Sequence, residues 1–363
     1  MTKKAIIAMS GGVDSSVAAL LTAKEGFECM GVTMKLFYDD DIVESCDVRE
    51  NSCCSLEDVE DARSVCTSLG MRHYVFNFSD LFRTTVIDRF IGDYENGRTP
   101  NPCIDCNRHL KFDKLFQRAK ELGFDYVVTG HYARIEYDES RGRYLLKKAL
   151  DDAKDQSYVL YSMTKEQLAH TRFPLGALHK TEVREIAEQN GFVNARKHDS
   201  QDICFVRNGS YADFIEQYTG KTYPPGDFVD TRGRILGQHR GIIRYTIGQR
   251  KGLGLALSEP MYVKSVDPET NTVTLGTEQE LYTRSLVATG INLIAVPTLS
   301  GVVRVKAKVR YRQPEQWATV TRTGADAFTV VFDEPQRAVT RGQSVVLYDG
   351  DLVLGGGIIA DAQ

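Results

Sequence analysis

Residues 10–16 read Ser-Gly-Gly-Val-Asp-Ser-Ser, set between the apolar run Ala-Ile-Ile-Ala-Met at 5–9 and the helix-prone stretch 17–24. The pattern predicts a strand that ends in a glycine turn and leads directly into a helix. Gly11 and Gly12 let the backbone curl so that its N–H groups converge, and the helix N-terminus adds positive dipole and unpaired donors. Such a turn is a phosphate cradle. A Walker A loop needs a lysine directly after its last glycine, and none stands here, which disfavours the P-loop kinases and GTPases. The plain alternative is an ordinary strand-to-helix turn capped by Asp14 or Ser15.

From residue 1 to 208, strand-like and helix-like runs alternate. Short β-prone runs at 29–34, 73–78 and 126–129 are separated by helical spacing at Val59, Ala62, Cys66 and Leu69, and at Phe112, Leu115, Phe116, Ala119 and Leu122. This alternation predicts an α/β domain with a doubly wound parallel sheet and ligands at the carboxyl ends of its strands. Residues 209–280 follow as a small central domain with one helix at 211–218, a Pro-Pro-Gly turn at 224–226 and a basic, glycine-rich stretch. Residues 281–363 are β-like. Between 303 and 312 Val303, Val305, Ala307, Val309 and Tyr311 alternate with Arg304, Lys306, Lys308, Arg310 and Arg312, as on a half-buried strand. Further strands at 328–332 and 344–348, spaced by turn residues, predict a C-terminal β-barrel.

At 363 residues, two or three domains of about 150 residues are expected. The net charge of −4 gives no global reason to bind nucleic acid, so binding has to come from local patches. Two such patches stand out. Residues 231–251 hold six Lys/Arg and no acidic residue, and 304–312 hold five more on the same terms. No 18-residue apolar stretch occurs and the apolar run after Lys3 and Lys4 is too short for a secretory signal, so a cytoplasmic protein with no membrane partner is expected.

In such a compartment the eight cysteines are thiols, metal ligands or redox groups before they are structural disulfides. Cys103 and Cys106 form a C-x-x-C after Pro100 and Pro102, which favour extended backbone there, and Cys204 stands alone in His-Asp-Ser-Gln-Asp-Ile-Cys-Phe at 198–205. The pair by itself fits half a zinc site, a redox pair or chance. Cys29 and Cys66 read as small core hydrophobes, and Cys46, Cys53 and Cys54 lie in an acidic loop where metal binding is not expected.

The 10–16 loop resembles the pyrophosphatase-type loop of enzymes that split ATP into AMP and pyrophosphate. Asn101-Pro102-x-x-x-Cys106-Asn107, Gly130-His-Tyr-Ala-Arg134, Lys154-Asp-Gln-Ser-Tyr158 and Asp199-Ser-x-x-Ile-Cys-Phe205 follow in order. Gly248-Gln-Arg-Lys-Gly-Leu-Gly254, Val309-Arg-Tyr-Arg-Gln313 and the 342–350 segment complete the series. Together they resemble the bacterial tRNA-specific 2-thiouridylase family over nearly the whole chain.

The resemblance implies an adenine nucleotide α-hydrolase-like N-terminal domain and ATP-dependent 2-thiolation of the wobble uridine of tRNA, on lysine, glutamate and glutamine acceptors. It assigns ATP contacts to Ala8, Met9, Ser10, Gly11, Gly12, Val13, Asp14 and Ser15, with Met34 and Gly130, and makes Asp14 the route to Mg²⁺. Cys204 carries the sulfur as a persulfide and Cys106 is the nucleophile. Asn101, Pro102 and Cys103 touch the extruded base; His131, Lys154, Asp155, Gln156, Arg310, Tyr311 and Gln343 contact tRNA. A cysteine desulfurase or a sulfur-relay protein supplies the sulfur.

Many family members carry aspartate where Cys103 stands, and Asp105, two residues on, shares its face if the segment is extended. The trio Cys103, Cys106 and Cys204 also resembles the three-cysteine sites of iron–sulfur tRNA thiolases, so a [4Fe–4S] cluster is the alternative sulfur carrier. For His131 a core histidine, and for the basic strand a solvated face, are the plain alternatives. An adenylating ligase with the same loop, or a non-catalytic RNA-binding protein, remain as other classes.

Overall fold

The computed structural model describes residues 2–37, 56–197, 203–206 and 209–362. The chain divides into two compact units. The first comprises Met1–Val86, Cys103–Asn208 and Asp351–Val353, and the second Ile87–Pro102, Gly209–Gly350 and Leu354–Gln363.

In the first unit β1 (Lys4–Ala8), β2 (Glu28–Lys35), β3 (Arg72–Asn77) and β4 (Tyr126–Val128) form a parallel sheet. A hairpin, β5 (Arg134–Asp138) and β6 (Arg143–Lys147), follows β4, and β7 (Thr171–Arg172) pairs parallel with it. The strand order is β3-β2-β1-β4-β7. Chain direction across the sheet therefore reverses between β1 and β4, and this switch point opens a crevice at the carboxyl ends of those two strands.

The alternation of side chains explains why β1 is central. Ala5, Ile7 and Met9 join one buried cluster with Val13, Val17, Ala18 and Leu20 of helix α1 (Val13–Lys24) and Ala62, Val65 and Cys66 of helix α2 (Leu56–Ser68). Val183 and Ala187 of the helix Lys180–Gln189 complete it. Ile6 and Val127 point the opposite way and are also fully buried, as a strand covered on both faces requires. The doubly wound parallel sheet read from the sequence is the observed one. Helix α1 starts four residues before the predicted stretch, directly at the glycine turn.

In the second unit β8 (Gly226–Asp230), β9 (Ile235–His239), β10 (Tyr262–Asp267) and β11 (Thr272–Gly276) make a four-stranded sheet in the order β10-β11-β8-β9. Then β12 (Tyr282–Leu293), β13 (Val302–Lys308), β14 (Gln316–Gly324), β15 (Ala327–Arg337), β16 (Ser344–Asp349) and β17 (Leu352–Ala362) run in the order β12-β15-β14-β13-β16-β17. Pairing of β12 with β17 closes them into a barrel. Along β13, Val305 and Ala307 are buried and Arg304 is exposed, the expected alternation. The strand ends at Lys308, however. Arg310, Tyr311 and Arg312 lie in the turn beyond it, which corrects the predicted strand to 312. Among the described residues no helix is long and apolar enough to cross a membrane.

Candidate active site

The turn after β1 lies at the switch point. Gly11 has φ 73°, and a Cβ there would fall 2.5 Å from the carbonyl oxygen of Asp58, so both conformation and space demand glycine. Gly12 is the N-cap of α1, extended at φ −90° and ψ 160°, with no side-chain cap. The cap is therefore neither Asp14 nor Ser15. Ser15 turns inward instead, donating from Oγ to Gly12 O at 2.9 Å and accepting from Ser10 N at 3.3 Å, and Ser16 Oγ also donates to Gly12 O. With no side chain over the first turn, its N–H groups have no intrahelical acceptor and point out of the helix end. That is the donor array a phosphate requires.

Gly130 follows β4 across the crevice. A Cβ on it would sit 2.7 Å from Asp14 C and 2.8 Å from Ser15 N, so only glycine lets this segment touch the loop. Met34, at the carboxyl end of β2, is half-buried beside Thr33, whose hydroxyl donates to Met9 O at 2.9 Å. The residues expected at the nucleotide, from Ala8 to Ser15 with Met34 and Gly130, thus share one edge of the sheet.

Three residues at this edge were given no role by the sequence. Lys180, 8% exposed at the start of its helix, places Nζ 2.7 and 2.8 Å from the two carboxylate oxygens of Asp14. Tyr132 donates its hydroxyl to Asp14 Oδ1 at 2.8 Å. Asn194, buried, donates from Nδ2 to Gly11 O and to Ser16 Oγ. Lys197 lies close by in sequence and bonds both Asp58 and Asp61 at 2.7 Å, fixing the first turns of α2. The carboxylate expected to lead to Mg²⁺ thus has both of its oxygens held by a lysine ammonium.

Cys103 and Cys106 lie on the short helix Pro102–Cys106, with Pro102 at its first position, where the missing N–H costs nothing. Three residues apart on a helix, the two thiols share a face; Cys103 is exposed and Cys106 half-buried. The helix corrects the extended reading of this segment. Asp105, two positions from Cys103, is turned off that face and is 8% exposed. A π-helical stretch, Asn107–Lys114, continues from Cys106 and is anchored by Asn107 Nδ2 donating to Val159 O. Cys204 is half-buried in a turn held by Phe205, whose ring packs edge-on against Phe82 at 5.9 Å. His198, Asp199 and Ser200, like Cys46, Cys53 and Cys54, lie outside the described residues.

Among the described residues no three His, Cys, Asp or Glu side chains are gathered as a metal-ligand set. Burial pushes the thiols of Cys29 and Cys66 up to about 11, which leaves them protonated and inert near neutral pH.

The residues expected at tRNA divide by exposure. His131 is buried, its Nδ1 2.7 Å from Thr129 Oγ1 and its ring between Phe112 and Phe173. Burial holds its pKa well below the ordinary histidine value. Asp155 is buried too, its carboxylate accepting from Ala149 N, Ser157 N and Ser157 Oγ, and Gln156 Oε1 accepts from Tyr132 N. Lys154 is half-buried in the same turn. In the second unit Arg310 donates to Ala338 O and Thr340 Oγ1 at 2.7 and 2.8 Å, with Tyr311 half-buried next to it. Gln343 Nε2 donates to Thr99 O and Pro100 O, just ahead of Asn101. Of the basic strand, Arg304 is ion-paired with Asp333, and both Arg304 and Lys306 lie over the half-exposed ring of Trp317.

Residues 3–208 match the family model described as tRNA methyl transferase HUP domain. Residues 212–277 match the tRNA methyl transferase PRC-barrel domain, and 283–359 the aminomethyltransferase beta-barrel domain. Sheet, glycine loop and domain series together define a nucleotide-binding HUP-domain protein of the ATP-using, RNA-modifying class. The tRNA-specific 2-thiouridylase MnmA of Clostridioides difficile (strain 630) is 53% identical over 99% of this chain and 98% of that protein. The enzymes of that name from Acetivibrio thermocellus and Moorella thermoacetica are each 52% identical over 98% of this chain, covering 99% and 98% of their own lengths. The chain belongs to the tRNA-specific 2-thiouridylase family.

Proposed function

We propose that this chain is a tRNA-uridine 2-sulfurtransferase that acts in the cytoplasm on the wobble uridine of the lysine, glutamate and glutamine acceptors. The carrying observation is the bare α1 N-terminus at the sheet's switch point, in a chain that shares more than half its residues with thiouridylases over 99% of its length.

The C2 carbonyl of uracil resists substitution because its oxygen is a poor leaving group. The loop holds the ATP phosphates through its N–H groups while the C2 oxygen attacks the α-phosphorus and pyrophosphate departs. AMP then becomes the leaving group. The outer sulfur of a Cys204 persulfide attacks C2 and the C2–O bond breaks, releasing AMP. Cys106 thiolate next attacks the inner sulfur of Cys204, which frees 2-thiouridine and leaves a Cys106–Cys204 disulfide for an external dithiol to reduce. Half-burial of both thiols suits this chemistry, since each is shielded without being sealed off. The persulfide itself is loaded by a cysteine desulfurase or a sulfur-relay protein. Base contacts fall to Asn101, Pro102 and Cys103, and backbone contacts to Lys154, Lys306 and Tyr311.

Single-turnover incubation of unmodified tRNA with ATP and persulfide-loaded protein tests this reading. One AMP, one pyrophosphate and one sulfur-for-oxygen mass increase per tRNA are expected. Pyrophosphate release that ignores tRNA would instead place the chain among the other adenylating enzymes.

A further inference from the structure

The glycine loop carries no lysine of its own, yet the fold brings one to it. Lys180 comes from 166 residues further along and reaches Asp14 with both oxygens in hydrogen-bond range, its Nζ 5.8 Å from the centre of the Tyr132 ring. Asp14 stands in the first turn of α1. A carboxylate there is favoured by the helix dipole. The same helix end has to receive a triphosphate, however, and two anions on one N-terminus repel each other. A largely buried ion pair contributes little net stability, so its position at the cradle is the informative point.

We propose that Lys180 is a positioning residue of the triphosphate site. It neutralises Asp14 and fixes that carboxylate against Tyr132, so that the loop N–H groups meet ATP without a competing negative charge and without a metal ion on Asp14. The loop thereby obtains from a distant helix the cation that a Walker A loop encodes locally. Lys180→Arg keeps the charge but replaces a compact ammonium by a planar fork, and is expected to be only partly tolerated. The inference rests on the reading of residues 10–16 as the ATP site.

Equilibrium binding of ATP to the full chain, without tRNA and with or without Mg²⁺, separates the possibilities. Lys180→Met is expected to weaken binding roughly 10-fold or more, because it exposes the Asp14 charge to the phosphates. The double variant Asp14→Asn/Lys180→Met removes both charges and is expected to recover most of the affinity that Lys180→Met loses. If Lys180→Met does not fold, Lys180→Gln takes its place, with the same loss and the same rescue by Asp14→Asn expected. Unchanged affinity in Lys180→Met, or a double variant as weak as the single one, overturns the inference. So does tighter binding by Lys180→Met only when Mg²⁺ is present, which would make Asp14 a metal ligand masked by lysine. Failure of the unmodified chain to bind ATP would defeat the underlying reading instead.

Discussion

The side-chain amide of Asn194 donates to the carbonyl oxygen of Gly11 at 2.8 Å across 183 positions of sequence. The same amide reaches Ser16 Oγ, so one buried side chain fixes the glycine loop from both ends. Asn194→Ala is expected to cost about 1–2 kcal/mol of stability through the lost buried hydrogen bonds. It should also slow tRNA-dependent pyrophosphate release roughly 10-fold by loosening the loop. Asn194→Asp should be worse than alanine, because a carboxylate would then face the Gly11 carbonyl. Thermal unfolding and pyrophosphate assays check both, and an aspartate variant milder than alanine would remove the loop-fixing role.

The sulfur step is open to the same kind of test. Cys106→Ser and Cys204→Ser are each expected to stop thiolation, whereas Cys103→Ser, exposed and outside the disulfide pair, should reduce it less than about 10-fold. Anaerobically purified protein should carry no stoichiometric iron. Equal damage from all three substitutions, with about four irons per chain, would establish the cluster as the carrier.

The basic residues of the barrel should part company. Lys306, half-buried over Trp317, is expected to lose tRNA affinity on substitution by alanine and to lower the salt slope by about one. Arg310→Ala should act on the fold instead, lowering stability by about 1–3 kcal/mol, because its guanidinium satisfies Ala338 O and Thr340 Oγ1. Filter binding across a salt series, run beside thermal unfolding, distinguishes them; an Arg310→Ala chain of native stability but weak tRNA binding would reverse the assignment.

Acidification should destabilise the folded chain. Burial lowers the pKa of His131, His73 and His239, with His131 the most affected. Their unfolded forms take up a proton near pH 6.5, while the folded forms do so only at lower pH. The unfolded state therefore binds more protons below about pH 6.5. The contribution is complete above that value and is lost as pH falls through it. His131→Asn should flatten the decline in unfolding temperature between pH 7 and 5, and an unaltered slope would show that the ring does not titrate in this way.

The loop, the strands around it and the cysteines were legible because each depends on local pattern: apolar runs, glycines and spacing within a few residues. Lys180, Asn194 and Tyr132 were not, since their roles arise only when the helix Lys180–Gln189 and the segments beyond β4 and that helix close on the loop. The β5–β6 hairpin was missed for a similar reason. His131 and Asp155 show the converse limit: their motifs are plain in the sequence, but burial, which follows from long-range packing, decides what such side chains can touch. The misread of Asp105 turned on a single helical turn that Pro102 starts rather than prevents.

The excursion of Ile87–Pro102 into the second unit has a consequence for inheritance. Its last residues are held by Gln343, and Thr99 N donates to Arg341 O, so the strand of chain that delivers Cys103 is tied to a barrel loop more than two hundred positions away. A gene cut at residue 208 would encode the nucleotide fold with this stretch stripped of its moorings. Replacing the barrel with another RNA-binding module would break the same tether.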